Sequence, residues 1–279
     1  MKKAAVLGES PRLDRGAHRE LGLNSWTPRS SRGDSLLFKL LLSLLLISTA
    51  HAKSHLPDGF VYLSQIDPSI LQEMRYFTSH NFVGRPVRGY RAGVCILTHK
   101  AAVALSQAQQ HFLKRGVTLK VYDCYRPQRA VQDFVEWSRD DTLTTKAEFY
   151  PDMNKDVLFP DYIAYYSGHT RGSTVDLTLV KLPVTSSADY HPGDPLTSCT
   201  APTEQRLADN TIDMGTGFDC FSPIANTLHR PLPKIAQKNR ALLHHVMHRA
   251  GFVNYPNEWW HYSLRQERFK NRYFDFPVQ

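Results

Sequence analysis

Two short stretches constrain this 279-residue chain more than any other part of it. Ser167 to Asp176 reads S-G-H-T-R-G-S-T-V-D, and Glu258 to His261 reads E-W-W-H. Together they offer two histidines and an aspartate, a donor set suited to a catalytic zinc site whose fourth position is left to water. A fold that uses them must bring His169, Asp176 and His261 to one point. His169 and Asp176 are separated by an odd number of positions, and on one continuous strand such a pair would face opposite sides. The chain therefore has to turn between them, and Gly172 stands where it can supply the turn. His261 then arrives from a later strand, with Glu258 beside it as a carboxylate free to take a proton from water.

A lone histidine among thirteen would read as a structural residue. The combination of H-x-x-x-x-x-x-D inside S-x-H-x-x-G with a following E-x-x-H points to a metal centre instead. Two imidazoles and one carboxylate suit zinc, whereas a hard ion such as magnesium takes more oxygen. Trp259 and Trp260 flank Glu258 and predict an apolar wall, which raises a carboxyl pKa by desolvation. Arg126, in Y-D-C-Y-R-P, has two readings: a fixed guanidinium for an oxyanion or a substrate carboxylate, or a salt bridge to Asp123 or another structural acid. The phosphate loop G-x-x-x-x-G-K-[ST], the helix H-E-x-x-H and the elbow G-x-S-x-G are all absent.

The hydrophobic pattern predicts α+β, a small antiparallel sheet with flanking helices, because helices and antiparallel strands come in separate runs. Apolar positions from Lys100 to Arg115 recur at helical spacing, with Gly116 as a C-cap. Val117 to Tyr122 alternates as a half-buried strand. Pro127 suits the first turn of a helix reaching about Arg139, with Ala130, Val131, Phe134, Val135 and Trp137 on its apolar face. Strands are expected at Tyr162 to Tyr166 and Ser173 to Val180, and a long loop from Lys181 to Gly217. A helix from Asn239 to Ala250 and a hairpin around Pro256-Asn257 complete the pattern.

The first 52 residues read differently. Leu36 to Ala50 is almost wholly apolar, with Lys39 its one charge, and Ala50-His51-Ala52 follows, so residues 1–52 are expected to be an N-terminal extension and secretory signal cleaved after Ala52. The apolar run is shorter than the roughly 20 residues of a bilayer span. No stable membrane span is therefore expected once the signal is removed, and the mature domain, 53–279, is expected in a periplasm or cell envelope. Residues 1–52 hold eight Lys/Arg against four Asp/Glu, half of the formal +8. The remaining charge is too mild for a nucleic-acid partner, and no basic stripe interleaved with aromatics appears. All four cysteines lie after residue 52, which in an exported chain permits two disulfides. Cys199–Cys220 is the favoured pair, tying down the Pro/Ser/Thr-rich loop.

S-G-H-T-R-G-S-T-V-D-L-T-L, Y-D-C-Y-R-P-Q-R-A-V, M-G-T-G-F-D and E-W-W-H-Y resemble the VanX-type D-alanyl-D-alanine dipeptidases, within the zinc D-Ala-D-Ala peptidase group that shares its fold with hedgehog N-domains. The likeness runs in order from about Tyr76 to the C-terminal Y-F-D-F-P-V. It implies that His169, Asp176 and His261 bind one Zn2+, that Glu258 is the base, and that Arg126 steadies the transition state. It also implies that Asp219 and Tyr76 meet the free ammonium of a small dipeptide, and Ser167 its carboxylate. The chain departs from some relatives at Gly168, where they carry a second serine, and in the long 181–212 loop, which near the site would gate access or relax the dipeptide limit. Two alternatives remain open on sequence: a D,D-carboxypeptidase or endopeptidase of the same group acting on peptidoglycan, and a non-catalytic zinc-stabilised binding protein. The oligomeric state has no signature in the sequence.

Overall fold

The structure, a computed structural model, describes residues 56–279, so the expected extension and signal at 1–52 lie outside the described residues. Twelve regular elements follow in chain order: β1 (Phe60–Tyr62), α1 (Leu63–Ile66), β2 (Leu71–Gln72), β3 (Ile96–Thr98), α2 (His99–Leu113), β4 (Val117–Asp123), α3 (Gln128–Ser138), α4 (Lys146–Phe149), β5 (Thr174–Lys181), α5 (Lys234–Arg249), β6 (Phe252–Asn254) and β7 (His261–Leu264). Five strands form a sheet in the order β2-β4-β5-β7-β6, antiparallel throughout except that short β2 joins β4 in parallel. β1 and β3 make a separate antiparallel pair. The α+β expectation holds.

Side-chain spacing explains how the layers pack. On α2, Ala101, Leu105, Ala108 and Phe112 fall on one stripe and are buried. They meet Leu243 and Met247 of α5 and the inward residues of two strands, Leu119 and Val121 of β4 with Val175, Leu177 and Leu179 of β5. The opposite side is filled by an aromatic cluster that includes Tyr76, Phe82, Phe134, Trp137, Phe149 and Phe221. The candidate site lies on this second side of the sheet.

Two local expectations differ from the structure. Residues 162–166 form no strand, because the Tyr162 and Ile163 amides donate to the Leu158 carbonyl at 2.9 and 3.0 Å and are spent within their own loop. α5 begins at Lys234, a turn earlier than its apolar pattern suggests, directly after Pro233. Both disulfides are formed, Cys199–Cys220 as expected and Cys95–Cys124 with the remaining pair.

Candidate active site

Asp176 on β5 lies opposite Asp123 of β4 on one side and His261 of β7 on the other. Directly opposed residues of antiparallel strands project from the same face, so these three form a row across the sheet, facing away from α2 and α5. For Asp176 and His261 the alternation predicts this face, since Val175 and Tyr262 point into the helix-packed core. Asp123 reaches it only through the register shift between Val121 and Asp123. A bulge of this kind places two residues against one and re-aims the side chain that follows.

His169 joins from a tight turn, Gly168–Arg171, just before β5. Gly172 ends that turn at φ +75°, and a Cβ there would overlap the Phe60 ring. The expected turn is therefore present, and only glycine fits it. His169 is fully buried, and its Nδ1 donates to the Cys124 carbonyl at 2.7 Å. With that proton engaged, Nε2 turns its lone pair toward Asp176 Oδ2 at 3.2 Å and His261 Nδ1 at 3.3 Å. His261 Nδ1 is in turn 3.0 Å from Asp176 Oδ1, a buried oxygen with no aligned hydrogen-bond donor. One donor atom from each of His169, Asp176 and His261 falls within 4.8 Å of the others. Facing lone pairs around a buried, unsatisfied carboxylate oxygen are what a bound cation would resolve, so the trio fits a metal ion.

Glu258 sits in the β6–β7 connection rather than on a strand. The Asn254 amide holds that connection by donating to the Glu258 and His261 carbonyls at 2.9 and 3.0 Å. Glu258 Oε2 is 3.4 Å from His261 Nδ1, near the trio without being one of its members. Burial pushes its carboxyl well above the usual range, and the neighbouring Asp176 and Asp219 charges add to the shift. Burial likewise lowers the His261 imidazole. Burial opposes charge on Asp176 too, but His169 and His261 outweigh it and hold that carboxyl far below the ordinary value.

Of the two readings of Arg126, the salt bridge to Asp123 is present. Its Nε donates to Asp123 Oδ2 at 2.9 Å, and its Nη2 lies 3.5 Å from Asp176 Oδ2. The guanidinium packs against two adjoining rings, Tyr76 at 5.0 Å and Phe134 at 5.1 Å. Burial works against its charge, and Tyr76, Asp123, Tyr90 and Asp176 together more than offset this. Asp123, weighed on sequence only as a salt-bridge partner, proves to be a hub. It is fully buried, accepts from the Tyr90 hydroxyl at 2.6 Å and lies 3.4 Å from His169 Nδ1. Its place in D-C-Y-R-P was visible; the bulge that turns it to the site was not.

The Tyr76 hydroxyl donates to Asp219 Oδ2 at 2.8 Å. Asp219 is 4% exposed, at φ +54°, and burial raises its carboxyl well above the ordinary value, with the Asp176 charge adding to this. Ser167 accepts from the His169 amide at 3.2 Å and is buried at the rim of the turn. Tyr76, Arg126, Ser167, Asp219, Glu258 and His261 all open onto one cavity of about 200 Å³. That is smaller than the roughly 300–1,000 Å³ pockets of drug-sized ligands.

Gly168 also lines this cavity, and the structure accounts for it. A Cβ at 168 would stand 2.8 Å from Thr174 Oγ1, which is itself bonded to Ser263 Oγ at 2.7 Å, so a serine would require that pair to move. Among the described residues, none from the 181–212 loop lines the cavity. Asp209 instead ties the loop behind the Tyr76 wall, accepting from the Tyr122 hydroxyl at 2.7 Å with Arg75 Nη2 at 3.4 Å. The cavity is roofed by residues 160–164.

A family model described as peptidase M15, D-ala-D-ala dipeptidase, matches residues 57–190 and 200–279. The chain is 36% identical over 221 residues to a D-alanyl-D-alanine dipeptidase of Streptomyces coelicolor, covering 78% of this chain and 98% of that protein. Another from Enterococcus faecium is 31% identical over 79% of this chain and 98% of its own length. One from Escherichia coli is 30% identical, covering 74% and 84%.

Proposed function

The chain belongs to the D-Ala-D-Ala dipeptidase family of metallopeptidases, and from that premise we propose that it hydrolyses the dipeptide D-Ala-D-Ala by a zinc-dependent route with Glu258 as the base. The observation that carries the reading is that Asp176 and His261 of the His169–Asp176–His261 trio open onto the same small cavity as Glu258, Arg126 and Asp219. A zinc ion held by the trio supplies Lewis acidity to the scissile carbonyl and makes attacking water more acidic.

The remaining work falls to the protein's own groups. Asp219, oriented by Tyr76, receives the substrate ammonium, and that positive charge restores ionisation to a carboxyl that burial disfavours. Ser167 offers its hydroxyl to the substrate carboxylate. Glu258 takes a proton from water and passes it to the leaving amine; its raised pKa keeps it able to hold that proton between the two steps. Arg126, fixed by Asp123 and packed against two adjoining rings, faces the developing oxyanion without having to reorganise. Recognition of both charged ends inside a small cavity favours the dipeptidase over a peptidoglycan carboxypeptidase or endopeptidase, whose longer substrates would have to pass the roof. The retained base and guanidinium disfavour a purely structural metal site.

Export is part of the same proposal. Residues 1–52 act as extension and secretory signal ahead of the 53–279 catalytic domain, and the two disulfides support an oxidising compartment such as a periplasm or cell envelope. The test is release of D-alanine from D-Ala-D-Ala by purified protein, abolished by a chelator and restored by zinc. Hydrolysis of a muropeptide ending in D-Ala-D-Ala at a rate equal to that of the free dipeptide would favour the carboxypeptidase instead.

A further inference from the structure

The cavity mouth is spanned by a bond between two distant parts of the chain. Tyr255, at the end of β6, and Asp161, in the roof, both line the cavity, and the Tyr255 hydroxyl donates to the Asp161 carbonyl at 2.7 Å. Asn257 Nδ2 donates to the same hydroxyl oxygen at 3.3 Å, which directs the phenol proton toward Asp161. The Tyr255 ring stands edge-on to His261, centroids 5.8 Å apart, so the phenol reaches from the trio to the roof.

Elsewhere the roof is held by packing, with Leu158 and Ile163 in the aromatic cluster and Phe159 and Tyr162 partly buried against it. It is anchored at one end by buried Leu158 and at the other by buried Ser167. Between them Ile163 is buried and Tyr162 meets Phe221 edge-on at 5.6 Å, while Tyr165 and Tyr166 are exposed. Among the described residues, besides the Tyr255 bond, its side-chain hydrogen bond to the body is Gln128 Nε2 donating to the Tyr165 carbonyl at 3.2 Å, and the Tyr166 ring meets Tyr273 at 5.3 Å. The Tyr255–Asp161 bond faces solvent, as do roof residues 160, 161 and 164–166, and solvent-exposed stretches open at lower free energy than a packed core.

We propose that Tyr255 is a specificity-determining residue, its hydroxyl clasping the 158–166 roof shut over the cavity so that only a substrate two residues long is enclosed. This rests on the dipeptidase reading. With the clasp closed, the cavity holds little beyond a small zwitterion; with it open, a chain extending past either end finds an exit between Tyr255 and Asp161. No bond to the substrate's reacting atoms is required of Tyr255.

The test is Tyr255→Phe in the metal-loaded protein, which keeps the ring against His261 and removes only the hydroxyl. Metal content and Tm are recorded first, so that altered folding or loading is seen directly. The ratio of kcat/KM for D-Ala-D-Ala-D-Ala to that for D-Ala-D-Ala is expected to rise about tenfold, the factor corresponding to one lost hydrogen bond of ordinary strength. Amide hydrogen exchange at Tyr162 and Ile163 is expected to quicken, since both amides bond to Leu158 within the roof. An unchanged peptide ratio overturns the specificity role. If the unsubstituted protein released no D-alanine from either peptide, the dipeptidase reading would fail separately, and equal exchange in the two proteins would then overturn the clasp itself.

Discussion

Replacing Asp219 with asparagine separates recognition from folding. The two side chains have the same shape, and an amide oxygen can accept the Tyr76 hydroxyl as the carboxylate does now at 2.8 Å. What is lost is a negative charge at a position 4% exposed, facing the place assigned to the substrate ammonium. Removing one partner of a desolvated charge pair costs about 2–5 kcal/mol, which is about a 30- to 5,000-fold fall in kcat/KM for D-Ala-D-Ala. The folded protein responds in the opposite sense. The folded-state pKa of Asp219 is raised, chiefly by burial, so from the ordinary aspartate value up to the raised one the folded state holds a proton that the unfolded state has released. Stability contributed by that proton is full below the unfolded pKa and is lost as pH rises. Asparagine removes this loss, so metal-free Asp219→Asn protein is expected to have a Tm at pH 7 no lower than the parent's. Steady-state kinetics beside calorimetry decides the matter. A kcat/KM within a factor of about three, well under the charge-pair range, would refute the ammonium assignment, and a falling Tm would refute the burial argument.

The other expectations are narrower. Glu258→Ala should keep one metal per chain by elemental analysis while turnover falls by at least about a hundredfold; near-normal turnover would remove the base assignment. His261→Ala should lose both metal and activity, and full occupancy in that variant would break the ligand set. Gly172→Ala combines left-handed backbone with overlap on Phe60. Those effects cost about 1–2 and about 1–3 kcal/mol, a Tm drop of about 5–20 °C by thermal melt; an unshifted Tm would contradict the turn geometry. Replacing Cys199 and Cys220 together by serine removes a crosslink between positions 21 apart, worth about 3 kcal/mol by loop-closure entropy. Because Asp219 adjoins Cys220, KM should rise along with the loss of denaturant stability.

The part of the site legible in sequence is the part governed by chemistry that ignores distance along the chain. Two imidazoles, a carboxylate and a spare glutamate identify themselves by type, and the odd spacing of His169 and Asp176 forced a turn that Gly172 makes at φ +75°. Helical and alternating patterns likewise foretold the positions of α2, α3, β4 and β5, but β4 buries both faces where alternation predicts a half-buried strand. The residues that escaped depend on departures from those periods. Strict alternation from Leu119 and Val121 would send Asp123 into the helix-packed core, and a one-residue bulge reverses it.

The roof illustrates the complementary failure. Tyr-Ile-Ala-Tyr-Tyr has the composition of a strand, yet a strand requires a neighbour for its amides, and the nearest acceptor here is Leu158 four or five residues back. The long 181–212 loop carried the opposite temptation: its length suggested a gate, while Asp209 commits it to the far side of the Tyr76 wall. In both segments the composition was read correctly and the partner was not, because hydrogen-bond partners are set by tertiary position. On the clasp proposal a short segment with a strand's composition sets substrate length, and the long loop instead braces the wall behind Tyr76 through Asp209.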